Sequence, residues 1–105
     1  MKCKYYILGD DGLVSGVSIS TNEAEITRGN ERQILSASNK ECLNTLICLF
    51  SLKNNWNKEE CYEPVYKVVF ENGNKQEVYF FDVSNVPDNF VMFQGCIDKL
   101  VGESI

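Results

Sequence analysis

The segment Asn72-Gly73-Asn74 separates two runs of apolar and polar residues, and this hairpin signal constrains the fold more than any other feature. The runs at residues 65–71 and 75–83 are rich in valine, tyrosine and phenylalanine, which favour strands. Glycine and asparagine between two such runs are typical of a tight turn. The sequence therefore predicts an antiparallel pair of strands in this region.

The register of the predicted hairpin depends on the length of its loop. A three-residue loop pairs Glu71 with Lys75 across the two strands. The same register pairs Lys67 with Tyr79 and leaves the apolar residues together on the other side. A two-residue loop would mix polar and apolar residues on both sides, so we predict the three-residue loop. The apolar side, which should pack on a helix, then consists of Tyr66, Val68, Phe70, Val78 and Phe80.

Two further hairpins are predicted in the first 40 residues. Apolar runs at residues 3–8 and 13–19 flank a turn sequence of two glycines and two aspartates at 9–12. A weaker pair of strands is predicted at residues 25–28 and 32–36, joined through an Asn-containing turn. Together with the later hairpin, these pairs predict an antiparallel sheet.

Two helices are predicted, and the first has the clearer signal. Residues 38–41 form a capping box, in which a serine hydroxyl and a glutamate carboxylate each accept a bond from a backbone N–H. The second helix is predicted at residues 88–101, capped by Asp88 or Asn89 and ended by Gly102, with a strand as the alternative for its first half. The predicted core residues of the first helix are Leu43, Leu46, Ile47 and Phe50, and those of the second are Phe90, Phe93, Ile97 and Leu100.

The fold predicted from these elements is α+β, with an antiparallel sheet of hairpins packed against two helices that form a single layer on one face. The chain of 105 residues has the usual size of one domain, so we predict a single domain over residues 1–105. This length buries a core without disulfides or a metal ion. The sequence does not indicate an oligomeric state.

Five cysteines in an irregular arrangement, in a chain without an apolar segment typical of export, predict reduced thiols and a cytoplasmic location. They form no C-x-x-C pair, and we expect buried small residues rather than metal ligands or redox groups. The longest apolar window is too short to span a membrane. A net charge of −5 disfavours direct binding to nucleic acid or to an anionic membrane.

The absence of histidine excludes the Ser-His-Asp and Cys-His arrangements of hydrolytic enzymes. The glycines do not have the spacing of a phosphate-binding loop or of a dinucleotide-binding motif. Catalysis by carboxylates alone is left open in principle. We therefore predict a binding protein rather than an enzyme, with no cofactor and no metal.

The most suggestive candidate site is the segment at residues 56–63, which combines carboxylates with the aromatic types that anchor protein interfaces. Trp56 covering the end of the first helix and Tyr62 lying in the core are the alternative interpretation. All of the excess negative charge follows residue 40, which suggests a basic partner. The predicted partner-binding residues are Trp56, Glu59, Glu60, Tyr62, Glu63, Glu71 and Glu77.

The small size, the acidity and the lack of catalytic residues or an export signal resemble the immunity proteins of bacterial contact-dependent inhibition and other polymorphic toxin systems. This resemblance implies a cytoplasmic inhibitor that binds one cognate toxin domain, often a nuclease, and covers its active site. Nuclease sites are cationic, so an acidic surface with aromatic anchors would give both fast association and a desolvated contact.

Two other functions are compatible with the sequence. A nucleic-acid mimic, such as an anti-defence protein of a phage, would present carboxylates at the spacing of phosphates, and its binding would weaken steeply with salt. A small enzyme would place a cysteine or a pair of carboxylates in a concave pocket with perturbed pKa values. A toxin inhibitor would instead have a bounded patch with an apolar centre.

Overall fold

The computed structural model describes residues 1–9, 14–58 and 61–102, and it shows a six-stranded antiparallel sheet with two helices packed against it. The strands lie in the order β4-β3-β2-β1-β5-β6. This architecture confirms the predicted α+β fold. The elements are β1 (Lys2–Leu8), β2 (Val14–Ser20), β3 (Ala24–Arg28), β4 (Glu31–Leu35), α1 (Asn39–Leu52), a 3₁₀ turn (Lys53–Asn55), β5 (Tyr66–Asn72), β6 (Lys75–Phe81) and α2 (Phe90–Val101).

Each of the three predicted hairpins is present in the sheet. β1 pairs with β2, β3 pairs with β4 and β5 pairs with β6, all antiparallel. Gly29 and Gly73 begin their turns with positive φ angles of 60° and 63°, a conformation that glycine adopts without the steric cost of a Cβ. The predicted turn at 9–12 lies mostly outside the described residues.

The predicted register of the last hairpin is wrong. Its loop has two residues, because Asn72 pairs with Lys75, and Gly73 with positive φ at the first loop position is the type II′ pattern that matches strand twist. Glu71 therefore faces Gln76 rather than Lys75. Lys67 likewise faces Phe80 rather than Tyr79. Contacts accommodate the resulting mixture, since Glu77 on the covered side pairs with Lys53 and the Phe80 ring on the open side lies near the ammonium of Lys67.

Helix α1 begins as predicted, but it presents a different stripe to the core. The hydroxyl of Ser38 accepts a bond from the Glu41 backbone N–H at 3.2 Å, and the Glu41 carboxylate accepts one from the Ser38 N–H at 3.3 Å. Among the predicted core positions, Leu43 and Ile47 are exposed, and Phe50 is half-buried. The fully buried positions are Cys42, Leu46 and Leu49. The buried stripe of the helix therefore begins at the small apolar Cys42 rather than at Leu43.

Helix α2 is helical throughout, so the strand alternative for its first half is wrong. Phe90, Phe93 and Ile97 are buried as predicted. Gly102 ends the helix with φ 83°, and its N–H donates to the carbonyl of Asp98. Asn89 occupies the cap position, but its side chain makes no capping bond.

The core lies between the helices and one face of the sheet, which we call the covered face, and the opposite side is the open face. On β1, Cys3 and Tyr5 belong to the core, so the alternating residues Lys4 and Tyr6 lie on the open face. Strands β2, β5 and β6 contribute to the same core. Neither helix of the described segments is long and apolar enough to cross a membrane.

Candidate functional site

The candidate site lies at the end of the sheet where β5 begins and β6 ends, and we call residues 61–64 and 82–89 the loop-end surface. The hydrogen bonding between the two strands begins one residue before β5, since the Val65 N–H donates to the carbonyl of Phe81 at 2.9 Å. The carbonyl of Val65 in turn accepts a bond from the Leu8 N–H at 2.8 Å. Both segments of this surface are therefore fixed to the sheet at their boundaries.

Trp56 is a core residue, and this is a correction to the predicted partner-binding set. Only 7% of its surface is exposed. Its ring contacts aromatic rings from both sheet and helix, at centroid distances of 5.1 Å to Phe93 and 5.3 Å to Phe81. Its Nε1–H donates to Oδ1 of Asn89 at 2.7 Å. A partner would contact this ring only if the core opened, so the alternative interpretation is the correct one for Trp56.

Asn89 explains how the tryptophan is held. While its Oδ1 accepts from Trp56, its Nδ2 donates to the carbonyl of Leu52 at the end of α1, at 2.7 Å. One amide side chain thus satisfies an indole N–H and a helix-terminal carbonyl together, which would otherwise be left without partners in a partly buried place. The contact joins the end of α1 to the start of α2, and through Asn89 it belongs to the loop-end surface.

Tyr62 and Glu63 occupy the outside of the loop-end surface. Tyr62 is 95% exposed and Glu63 is also exposed, which makes the core interpretation of Tyr62 wrong. The preceding Cys61 is half-buried, and its Sγ lies 3.9 Å from Oδ2 of Asp82. That contact holds the segment next to the loop that follows β6. Glu59 and Glu60 lie outside the described residues.

A groove adjoins this surface along the outer edge of β6. Its volume is about 330 Å³, and it separates the segment at residues 55–57 from the segment at residues 85–89. Phe80 and Phe81 form part of its wall. Four of the other eight lining residues are asparagines, and Asp88 is the one carboxylate among the described lining residues. The groove can therefore hydrogen-bond a polar chain or receive a cationic group.

Glu71 and Glu77 lie away from this surface, toward the other end of the β5–β6 hairpin. Glu71 lies on the open face, 3.5 Å from the ammonium of Lys4. Glu77 lies at the edge of the covered face, where it accepts bonds from Lys53 at 2.8 Å and from the Tyr79 hydroxyl at 2.9 Å. These two bonds hold the pKa of the Glu77 carboxyl below its usual value. The structure therefore does not bring together the five predicted residues that it describes.

The groove lining was missed by the sequence interpretation, which searched for carboxylates and aromatics. The available signal was the density of asparagine on both sides of β5–β6, at Asn55 and Asn57 and again at Asn85 and Asn89. Asparagine is common in turns for local reasons. Only the packing of the two segments against β6 makes these residues line one groove.

The structure contains no group of three or more potential metal ligands among residues 1–9, 14–58 and 61–102. Comparisons of the chain with protein-family models, with curated proteins and with solved structures find no match.

Proposed function

We propose that this protein is a cytoplasmic immunity protein, which binds a cognate toxin domain and covers the toxin's active site with the loop-end surface. The observation that carries the proposal is the side chain of Tyr62, which is 95% exposed beside the exposed Glu63. An amphipathic ring held in water by a folded domain contributes strongly to affinity when a partner buries it. Glu59 and Glu60, which precede it in the sequence, belong to the proposed contact.

The chemistry of the surface fits a basic partner such as a nuclease domain. Glu63 and Asp88 are exposed, and Asp88 also lines the groove. A lysine or arginine side chain of the toxin would enter the groove and bond to the carboxylate and amide oxygens there. The net charge of −5 would speed the approach of a cationic partner. Function by binding alone needs no cofactor, metal or catalytic residue.

The two alternative functions have less support. A nucleic-acid mimic needs a row of free carboxylates, whereas Glu71 and Glu77 are paired with lysines on different faces of the sheet. A carboxylate enzyme needs two carboxylates in one concavity, and Asp88 is the single one among the described residues of the groove.

The test uses the toxin domain that this proposal predicts to be encoded next to the gene for this protein. We expect co-expression to protect cells from the toxin, and the purified proteins to bind at nanomolar affinity in calorimetry. Replacing Tyr62 with alanine should weaken binding by about 30-fold or more, because an interface anchor contributes at least 2 kcal/mol. The combined variant Glu59→Lys, Glu60→Lys and Glu63→Lys should weaken it by at least about 10-fold, mainly through slower association.

Glu23→Lys is the matched control, because Glu23 is exposed and lies in the β2–β3 turn at the opposite end of the sheet. It makes one of the same charge reversals, which adds two positive charges where the triple variant adds six, and it should leave the affinity unaltered. Failure of the wild-type protein both to bind and to protect would refute the proposal. Wild-type affinity in the Tyr62 and triple-lysine variants would instead move the contact away from the loop-end surface.

A further inference from the structure

Two cysteines meet where the helices pack against each other. The Sγ atom of Cys48 in α1 lies 2.6 Å from the Sγ atom of Cys96 in α2. The two residues are 48 positions apart in the sequence, so only the packing of α1 on α2 brings their side chains together. No sequence motif indicates this pair, which lacks the short spacing of known redox motifs.

The pair is accessible from solvent. Both cysteines are half-buried, and both line a concavity of about 440 Å³ between the two helices. The walls of the concavity are mixed, and their polar part includes the side chains of Asn44, Thr45 and Lys99. A small hydrophilic thiol or disulfide can therefore approach the sulfur atoms from outside without disturbing the core.

The other three cysteines have different surroundings. Cys3 and Cys42 are fully buried in the core, and burial raises the pKa of the Cys3 thiol far above its usual value. Cys61 has the carboxylate of Asp82 beside its sulfur rather than a second thiol. The pair Cys48 and Cys96 is therefore chemically distinct within this chain, since each thiol has a partner within reach.

We propose that Cys48 and Cys96 are a reversible redox site, at which oxidation joins α1 to α2 through a disulfide bond. A disulfide has an S–S length of about 2.05 Å, so the sulfur atoms need to approach by only about 0.5 Å. This inference is independent of the proposed toxin partner, because it concerns only contacts within the folded chain.

Glutathione disulfide is an oxidant of the required class. One cysteine attacks it to form a mixed disulfide and releases one glutathione; the second cysteine then attacks the mixed disulfide and releases the other. Two electrons pass from the protein thiols to glutathione disulfide, and the two thiol protons end on the two released glutathione molecules. The bonds broken and formed balance without any further reactant.

Burial and the neighbouring sulfur of Cys48 raise the pKa of Cys96 to about 11, although Lys99 acts in the opposite direction. Cys96 is therefore a neutral thiol near pH 7, and thiols react more slowly than thiolates. This protonation affects the rate of disulfide exchange at Cys96, so the test is made at equilibrium.

The protein is equilibrated with mixtures of reduced and oxidised glutathione, and the remaining thiols are then alkylated and counted by mass spectrometry. We expect the number of free thiols to fall from five to three while the protein loses the mass of two hydrogen atoms. Proteolytic peptides should identify an intramolecular link between Cys48 and Cys96. The oxidised protein should also unfold at a higher temperature, because the bond restricts the unfolded chain.

Cys61→Ser is the matched control, because it removes a half-buried thiol without touching the pair, and it should form the same link. Cys48→Ser and Cys96→Ser should each abolish it. The proposal is wrong if Cys48 and Cys96 of the wild-type protein both stay reduced in a glutathione mixture that is oxidising enough to glutathionylate Cys61. It is also wrong if the disulfide joins two protein molecules. An oxidised form that melts below the reduced one would show that native packing does not accommodate the bond. Each outcome that contradicts the proposal is observed on the wild-type protein, so it does not depend on the folding of a variant.

Discussion

The two faces of the sheet differ in how they hold their aromatic residues. On the covered face, Trp56 is enclosed by rings from β5, β6 and α2 and has its N–H bonded to Asn89. On the open face, Tyr6 and Phe80 lie on either side of Lys67, whose ammonium is 5.9 Å and 5.7 Å from the two ring centroids. Burial among other rings stabilises Trp56 on the covered face, whereas attraction to the Lys67 cation contributes to the placement of the two rings on the open face.

The difference shows that alternation along a strand does not by itself identify the buried face. Val68 and Val69 are neighbours on β5 and face opposite sides, yet Val69 is only 4% exposed. It lies outside the helix-covered core, among open-face residues that include Lys4 and Val78 across the adjacent strands. Long side chains on an uncovered sheet can therefore shield an apolar residue, because their stems cover the surface and their charged ends stay in water.

The largest effect is expected from Trp56→Ala. Removing this ring leaves a cavity among the aromatic residues of the covered face, which should lower the free energy of unfolding by about 3–5 kcal/mol. The measurement is urea unfolding followed by circular dichroism. Phe80→Ala is the control on the open face, where we expect a loss of at most about 1 kcal/mol because that ring is already partly in water. Equal losses for the two variants would contradict the distinction between the faces.

A smaller effect, on the open face, is expected from Gly16→Ala. A Cβ at this position would lie 2.5 Å from Cδ1 of Tyr6 and 3.0 Å from the carbonyl oxygen of Tyr5. Tyr6 pairs with Gly16 across the strands, so its ring would have to move. We expect a loss of about 1–3 kcal/mol in urea unfolding.

The double variant Gly16→Ala with Tyr6→Ser separates the two clashes. We expect it to recover part of the stability relative to Gly16→Ala alone, since the ring is gone while the Tyr5 carbonyl remains. The interaction energy is obtained from a double-mutant cycle that includes Tyr6→Ser alone. A cycle with no interaction energy would mean that the Tyr6 ring does not restrict this position.

The smallest effect is expected from the ion pairs, one near each face. Glu77→Gln should lower the free energy of unfolding at pH 7 by about 0.5 kcal/mol, because its carboxylate is 39% exposed and water screens the pair with Lys53. Glu71→Gln is the control on the open face, with a longer distance of 3.5 Å to Lys4, and its effect should be smaller still.

The pH dependence of the free energy of unfolding provides a second test of the pair between Glu77 and Lys53. Its pKa in the folded protein is lowered from 4.5, chiefly by the bonds from Lys53 and Tyr79. Its contribution to stability is therefore complete above about pH 4.5 and is lost as the pH falls through the lower folded-state pKa. Stability curves between neutral and acid pH should show that Glu77→Gln loses this part of the acid sensitivity. A parallel curve for wild type and variant would contradict the assigned pair.

Much of the architecture could be predicted because its signals are local. The Ser38–Glu41 capping bonds, the turns at Gly29 and Gly73 and the helix end at Gly102 each depend on residues within one turn of chain. The apolar spacing of α2 was also sufficient, since three of its predicted core residues are buried. In α1 the same reasoning selects Leu43 and Ile47 for the core. Leucine and isoleucine are larger and more apolar than cysteine, so the apolar spacing does not identify Cys42 as a core residue.

The candidate site was less predictable. The exposure of Tyr62 and the burial of Trp56 are opposite outcomes for two aromatic residues in one acidic loop, and composition treats them alike. The hairpin register differed from the prediction by a single loop residue, which was enough to place Glu77 on the covered side and Phe80 on the open side.

The hairpins, the two helices, the capping box of α1 and the glycine at the end of α2 follow from the sequence alone, because each depends on the backbone preferences and side-chain spacing of adjacent residues. The tertiary structure decided the contacts between distant segments: the Asn89 side chain beneath Trp56, the Lys53–Glu77 pair and the meeting of Cys48 with Cys96. Those contacts depend on the relative rotation and depth of packed elements, which are set by the fit of the whole core rather than by any one stretch of chain.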